Sequence, residues 1–507
     1  MQARVATASE TVACERVVIE KGTSAWTLMR RAGERAAALI EHRYGDRLQN
    51  GVAVYAGSGN NGGDAWVVAE MLTHRGIVCR ALSTANPRTE ESTRARTAAF
   101  SAGTVEAPDG SETVIVDGLL GTGSVGAPRA DTARQIAEIA QRRAAGAAVV
   151  ALDLPSGLNA TTGEHDGAVT ADLTVTFGVL KRGHLLAREI CGHIYVADIG
   201  LNCAENDCLP LLIDESWVNE RVPRIPSTAH KGTRKTLAVI GGGKGMAGAA
   251  ILAGEGALRA GIGLVRIVVA EGNQVAIHAG LPAAVVGAWP TSSDDLAQLL
   301  TSVDAVAIGP GLGKSDQTRD LVERVLLGWS GPVVVDADAL NVFEGDTLSL
   351  AQLLRGRPAA ITPHPAELGR LLDVTTADVT RNRFDIGLDL ARQIGAAVLL
   401  KGAPTVVFSP SGDRYVCARG TAALATGGSG DVLSGMIGTL LAQLTDDSLP
   451  AAEIAACAAF VHGRAAEVAG PARGTTLSDV LAAMPRAWEI QVPARRDGVL
   501  AQLESAA

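Results

Sequence analysis

Short apolar runs that end in glycine or aspartate turns, each followed by a run with helical spacing, recur along this chain and leave few architectures open to it. Gly51–Ala56 runs into GSGNNGGD, Thr113–Val116 ends at Asp117 before GLLGTG, and Ala147–Leu152 ends at Asp153 before LPSGL. After a break the rhythm resumes. Thr236–Ile240 precedes GGGKGMAG, Ala305–Ile308 precedes GPGLG, Val333–Val335 precedes DAD, Ala360–Thr362 precedes PHPAE, and Ala397–Leu400 precedes KGAPT. Runs so short and apolar suit strands buried on both faces, and helices between them make the strands parallel. The expected class is α/β. Ligands of open parallel sheets bind at the carboxyl ends of the strands, so the polar residues at those ends are the candidate site.

At 507 residues the chain is too long for one ordinary core, and the rhythm lapses between Leu201 and Thr228, where Pro210, Pro223 and Pro226 suggest a linker. Two domains are expected, residues 1–215 and 216–507. Three features of composition exclude function classes. A net charge of -9 argues against nucleic-acid or membrane-surface binding, and 3% aromatics argues against base-stacking platforms. No apolar run is long enough to span a membrane. Seven scattered cysteines without a C-x-x-C pair fit reduced thiols, and MQARVATASE lacks the apolar core of a signal peptide, so a cytoplasmic setting is expected. The small-residue helix Ala249–Ala260 allows close packing, and a homo-oligomer is expected.

In the first half, residues 9–44 read as helical with a break near Lys21–Ser24, and Ser9 is a candidate cap. A helix from Ala65 to His74 should follow the first glycine turn. Gly57, Gly59 and Gly62 match G-x-G-x-x-G, but no carboxylate follows the second strand at Ile77–Leu82, leaving only Arg80 or Arg88 for a phosphorylated ribose. Asn60, Asn61 and Asp64 exceed what a phosphate turn needs. They suit cation coordination, or hydrogen bonding to a polar ring; an Asx-rich turn satisfying its own backbone is the simpler alternative. Asn61, Asp117, Asp153 and Ser156 should share the rim of the sheet. Phe177–Lys181 and Gly192–Asp198 read as the last strands, with His184 between them.

In the second half, GPGLGKS has three residues between its framing glycines where a P-loop needs four, and Pro310 lacks an N–H donor, which rejects a P-loop ATPase. His364 and Glu367 lie three apart at a helix start, too few ligands for zinc. Thr426–Gly435, TGGSGDVLSG, places glycines before an apolar helical run. Bare N–H groups and a helix dipole there attract an anion, and Asp431 stands where a carboxylate can deprotonate a hydroxyl that attacks phosphate. Residues after Pro485 read as a terminal helix and a frayed tail.

TLMRRAG, GSGNNGGDA, DGLLGTG and LDLPSGL, in this order over Ala8–Gly200, resemble the epimerase domains of bacterial bifunctional NAD(P)H-hydrate repair enzymes. The resemblance implies a Rossmann-like three-layer α-β-α domain that interconverts the R and S hydrates of NADH and NADPH. It implies potassium at Asn61, Asp117 and Ser156, and a substrate lined by Asn60, Asn61, Gly62, Gly63, Asp64, Gly121, Thr122, Gly123, Ser124, Val125, Gly126 and Ala127, with Asp153 as catalytic carboxylate. Ala65 departs from the family, which usually has another glycine there. HKG, GGGKGMAGAA, ALRAGIGLV, IGPGLG, VVDADALN, TPHPAE, LKGAPT and GGSGD, over Pro226–Leu481, resemble the ribokinase-like ADP-dependent NAD(P)H-hydrate dehydratases. That implies a ribokinase-like α/β domain with substrate contacts at Ala249 or Ala250, Gly311, His364 and Asp431. It implies ADP as co-substrate along Lys401, Gly402, Ala403, Pro404, Thr405 and at Gly430, and magnesium. Sugar kinases of the superfamily have N-x-x-E where this chain has His364-Pro365-Ala366-Glu367, which favours the repair enzymes. Two alternatives keep the same motifs: a kinase of a small hydroxylated metabolite, and a first half that binds dinucleotide without catalysis.

Overall fold

The computed structural model describes residues 2–83, 85–124, 126–201, 208–445, 449–492 and 496–505. The chain divides into two compact units, Met1–Leu209 with Ala494–Ala507, and Pro210–Pro493. The division falls a few residues before the expected 215/216, because the presumed linker is partly built into the second unit. Leu211–Leu212 is an edge strand there, and the helix Glu215–Arg221, capped by Asp214, buries Trp217 and Val218.

Among the described residues, the first unit holds an eight-stranded sheet. Its spatial order is Val499–Leu503, His193–Ala197, Leu173–Phe177, Ala148–Leu152, Val114–Gly118, Val52–Ala56, Cys79–Ser83 and Val105–Glu106. All neighbours pair parallel except the first two. The central strands are buried along their whole length; Val52–Ala56 and Ala148–Leu152 carry the apolar runs this requires, and Leu173–Phe177 also buries Thr174 and Thr176. The strand expected at Phe177–Lys181 ends instead at Phe177, where Gly178 turns the chain with φ +67°; Leu180–Lys181 pairs separately with Val5–Ala6. The expected frayed tail is also corrected. Val499–Leu503 runs antiparallel to His193–Ala197 and covers that strand's open edge, with Leu500 buried.

Two helical boundaries moved for local reasons. Thr7, not Ser9, caps the helix Ala8–Glu20, in a reciprocal box with Glu10. The helix after the first glycine turn starts at Asn60 rather than Ala65, so Asn60 to Asp64 form its first turn. Gly62 makes this start possible: a Cβ there would lie 1.9 Å from the Gly57 carbonyl oxygen.

The second unit is a ten-stranded sheet among the described residues. In spatial order its strands are Leu211–Leu212, Arg414–Cys417, Thr405–Phe408, Ala397–Leu400, Ala359–Ile361, Val333–Val335, Ala305–Ile308, Thr236–Ile240, Leu264–Val269 and Val285–Ala288. Only the pairs made by Thr405–Phe408 are antiparallel. The helices Ala247–Ala260 and Ser429–Leu444 pack backbone to backbone at paired glycines. A Cβ on Gly435 would lie 1.8 Å from the Ala253 carbonyl, and one on Gly256 would lie 2.3 Å from that of Val432. Gly435→Ala is therefore expected to overpack this seam, costing about 1–3 kcal/mol. Chemical denaturation should register the loss in the second unit, together with reduced activity of whatever Asp431 does, since the same helix carries it.

Candidate active sites

A cavity of about 650 Å³ opens at the carboxyl ends of the first unit's strands. Its lining brings together Asn60, Asn61, Asp64, Gly121, Thr122, Gly123, Ser124, Gly126, Ala127 and Asp153. Val125 lies outside the described residues, and Gly62 and Gly63 are buried in the helix start behind the lining. Arg88 also lines the cavity, whereas Arg80 pairs with Asp109 at 3.0 Å. The Ala65 methyl has room because residue 118 is glycine: a Cβ on Gly118 would lie 2.5 Å from it.

Asp153 occupies the cavity wall with a left-handed backbone, φ +62°. Its Oδ2 accepts from the Thr122 hydroxyl at 2.6 Å, and its Oδ1 accepts from the Lys181 ammonium. Lys181 also donates to the Thr176 hydroxyl at 2.8 Å, and only 1% of its side chain is exposed. Burial acts to raise the Asp153 carboxyl, but the charge and hydrogen bond of Lys181, with Thr122 and His184, hold it below the ordinary range. His184 Nδ1 accepts from the Lys181 backbone N–H at 3.2 Å, so its Nε2 donates to the Asp153 carbonyl at 2.8 Å. Burial and the Lys181 charge lower this imidazole to about 3, so it stays neutral and serves to brace both residues. Sequence reading missed Lys181, whose surrounding VLKRGH reads as an ordinary strand end. With Arg182 and His184 beside it, nothing in the sequence sets this lysine apart.

Below this wall lies an oxygen-rich nest. Asp117 is fully buried; it accepts from the Ser156 hydroxyl at 2.6 Å and the Ser156 N–H at 2.8 Å. Burial pushes its carboxyl up to about 6 despite these bonds. Asn61 Nδ2 donates to the carbonyls of Leu120 and Leu152, at 2.7 and 3.0 Å, while its buried Oδ1 has no partner among the described residues.

In the second unit Gly428, at φ +92°, starts the helix Ser429–Leu444 and puts Asp431 in its first turn. The Asp431 carboxyl makes no hydrogen bond among the described residues. Burial first and the Asp336 charge next push it up to about 7, Lys401 opposing, with Asp338 and Glu367 adding to the rise. Lys401 Nζ lies 2.8 Å from Asp336 Oδ1 and 3.8 Å from Glu367 Oε2. Burial opposes its charge, yet the surrounding carboxylates hold it above its ordinary value. Gly430 lies against this ammonium; a Cβ there would be 3.1 Å from Nζ. His364 Nδ1 accepts from the N–H groups of Ala366 and Glu367, closing a capping box in which Glu367 accepts from the His364 N–H at 2.8 Å. Gly311 lies against Ala249, whereas Ala250 points into the core. The loop Lys401–Thr405 is held from behind by buried Arg383, which donates to the carbonyls of Lys401 and Pro404 at 3.2 and 2.9 Å. Thr405 donates to the Gly402 carbonyl at 2.9 Å. Arg383 was invisible in the sequence because nothing near it carries a motif.

Known proteins carry the same two domains in one chain. The family model described as YjeF-related protein N-terminus matches residues 25–183, and that described as NAD(P)H-hydrate dehydratase matches residues 237–486. The bifunctional NAD(P)H-hydrate repair enzyme Nnr of Coxiella burnetii is 36% identical over 482 residues, covering 92% of this chain and 95% of that protein. The chain belongs to the bifunctional NAD(P)H-hydrate repair enzymes. The Escherichia coli member is also 36% identical, over 90% of this chain and 87% of its own. An ADP/ATP-dependent NAD(P)H-hydrate dehydratase from Bacillus subtilis, co-crystallised with ATP and Mg2+, aligns at TM-score 0.49 and 32% identity, covering 54% of this chain and 96% of its own. By the family models and the full-length relatives, the chain is an α/β enzyme of metabolite repair, with an NAD(P)H-hydrate epimerase domain followed by an NAD(P)H-hydrate dehydratase domain. No described helix is long and apolar enough to cross a membrane.

Proposed function

We propose that Asp431 is the base of the dehydratase and that Asp153 is the catalytic carboxylate of the epimerase. Hydroxide is a poor leaving group, so dehydration needs the hydrate's hydroxyl converted to a better one. Asp431 takes the hydroxyl proton as the oxygen attacks the β-phosphorus of ADP, and AMP departs. The N–H groups of Gly427–Gly430, at the positive end of the helix dipole, stabilise the charge that develops on the phosphoryl group. Lys401, held beside Gly430, neutralises further phosphate charge, and the loop to Thr405 holds ADP. Ala249, Gly311 and His364 contact the hydrate. The ring nitrogen then expels phosphate, and loss of a proton from the neighbouring carbon restores the dihydronicotinamide.

The observation that carries this reading is a carboxyl poised at about 7 in the first turn of a glycine-capped helix, without a hydrogen-bond partner among the described residues. The test supplies the S hydrate with ADP, ATP or neither, and measures reduced-nicotinamide absorbance with AMP and phosphate release. Equal yields of NADH, AMP and phosphate with ADP are expected; a stable phosphorylated nicotinamide would favour the kinase alternative.

Potassium fits the nest in the first unit, where the unpartnered Asn61 Oδ1, the buried Asp117 carboxylate and the Ser156 hydroxyl offer oxygen ligands. When bound it would supply fixed positive charge beside the substrate. Replacing potassium by lithium is expected to slow epimerisation and leave dehydration of the S hydrate unchanged. Magnesium enters in this reading only as a counter-ion of the ADP phosphates. Among the described residues no three His, Cys, Asp or Glu side chains converge to cage it, and no step is routed through it. Buried thiols at Cys79, Cys191, Cys417 and Cys457 suit a reducing cytoplasm, where we place the enzyme, as a homo-oligomer.

A further inference from the structure

We propose that Asp64 is the general acid of the epimerase, the proton-bearing partner of Asp153 across one cavity. The inference rests on the epimerase reading above and adds a second catalytic group to it. Asp64 comes from the first turn of the helix Asn60–His74 and Asp153 from the end of the strand Ala148–Leu152, and both line the same 650 Å³ cavity. Their surroundings differ. The Asp153 carboxylate is tied down by Lys181, Thr122 and Thr176. The Asp64 carboxyl makes no hydrogen bond or ion pair among the described residues, so its proton is available to a ligand. Burial first, then the charges of Asp153 and Glu15, raise Asp64 well above the ordinary range, with Lys181 opposing. Glu15, from the helix Ala8–Glu20, is raised by burial as well. Arg88, Glu91, Arg129 and Asp131 complete the charged groups of the cavity lining. Two carboxyls whose environments push their pKa values apart are suited to be an acid and a base.

The chemistry needs both. A hydroxyl on the carbon beside the ring nitrogen leaves only with a proton, and water returns to the other face only by giving one up. Asp64 donates its proton to the hydroxyl as the C–O bond breaks, and the nitrogen lone pair forms a C=N bond. One water departs. Asp153 takes a proton from a second water as its oxygen bonds to the opposite face, and the C=N electron pair returns to nitrogen. Nothing is oxidised or reduced, and exchange with solvent through the open cavity resets the two carboxyls.

The test is Asp64→Asn in the full chain, with epimerisation of hydrated NADPH followed without ADP. Because a protonated carboxyl and an amide are nearly isosteric, the variant should fold, and thermal unfolding and unchanged dehydration of the S hydrate verify that. The expected result is a fall in kcat of about 10²–10⁴-fold, with KM nearly constant. The wild-type rate should also decline on the alkaline side, as Asp64 loses its proton. A preserved kcat, or a raised KM with kcat intact, would reduce Asp64 to a binding contact and overturn the proposal. If Asp64→Asn fails to fold, a wild-type profile without an alkaline decline overturns it equally. A wild-type chain with no epimerase activity would instead remove the epimerase reading beneath it.

Discussion

Asp431→Asn is expected to lower the dehydratase kcat by about 10²–10⁴-fold while ADP still binds. The amide keeps the shape of the side chain and the helix start, but it cannot accept the hydroxyl proton. The wild-type pH profile should carry the same signature. The base works only when ionised, so kcat/KM should climb as pH rises through about 7 and flatten above it. Stability should run the other way. A carboxyl whose folded pKa is raised binds its proton more tightly folded than unfolded, so its contribution is lost as pH rises from the ordinary carboxylate range through about 7. Asp431→Asn should therefore be more stable than wild type at pH 8 and closer to it at pH 4. Denaturant midpoints at the two pH values, beside the rate profile, separate a catalytic carboxyl from a structural one. Retained turnover with an unchanged profile would remove Asp431 from the role of base.

The second large effect belongs to Lys181. Lys181→Met strands a buried carboxylate without its cation, and breaking such a pair costs about 3–5 kcal/mol. Asp153 would then take up a proton, because burial alone raises it and the lysine is what holds it down. Epimerisation should fall by about 10²-fold or more, as expected when a catalytic group is in the wrong protonation state. The depressed carboxyl gives wild type stability that is present above its unfolded value and lost only as pH falls through the lower folded one. The variant should lack that contribution at neutral pH. Asp153→Asn with Lys181→Met should regain part of the stability and none of the epimerase activity, a pattern that thermal unfolding and rates can verify together. Full epimerase activity in Lys181→Met would show that the pair serves folding alone.

What could be read in the sequence followed from local pattern. Strand ends are short and announce themselves, so Asn61, Asp117, Asp153 and Ser156 were placed on one rim from spacing and the parallel-sheet rule. The structure puts them within hydrogen-bonding reach of a common set of loops. Asp431 was legible for the same reason, since a glycine turn before an apolar helix is a local event. What local pattern could not supply came from far along the chain or from side chains without a motif. Lys181 reaches Asp153 over 28 positions, and Arg383 braces a loop 18 to 21 positions away. The strand Val499–Leu503 pairs with an edge some 300 residues earlier, and its alternation is too brief to announce a partner. The helix beginning at Asn60 was misplaced because glycines weigh against helix by propensity. Here tertiary packing requires them, of Gly62 against Gly57 and of Gly63 against Met29 and Ser92.

The most direct measurement gives the protein hydrated NADH as a mixture of both epimers, with ADP and potassium, and follows recovery of reduced-nicotinamide absorbance faster than spontaneous epimerisation. A chain that repairs both epimers should carry the recovery to completion, and Asp153→Ala should stop it once the S epimer is consumed. A wild-type reaction that stalls at the S fraction would contradict an active first domain, and no recovery at all would contradict the account as a whole.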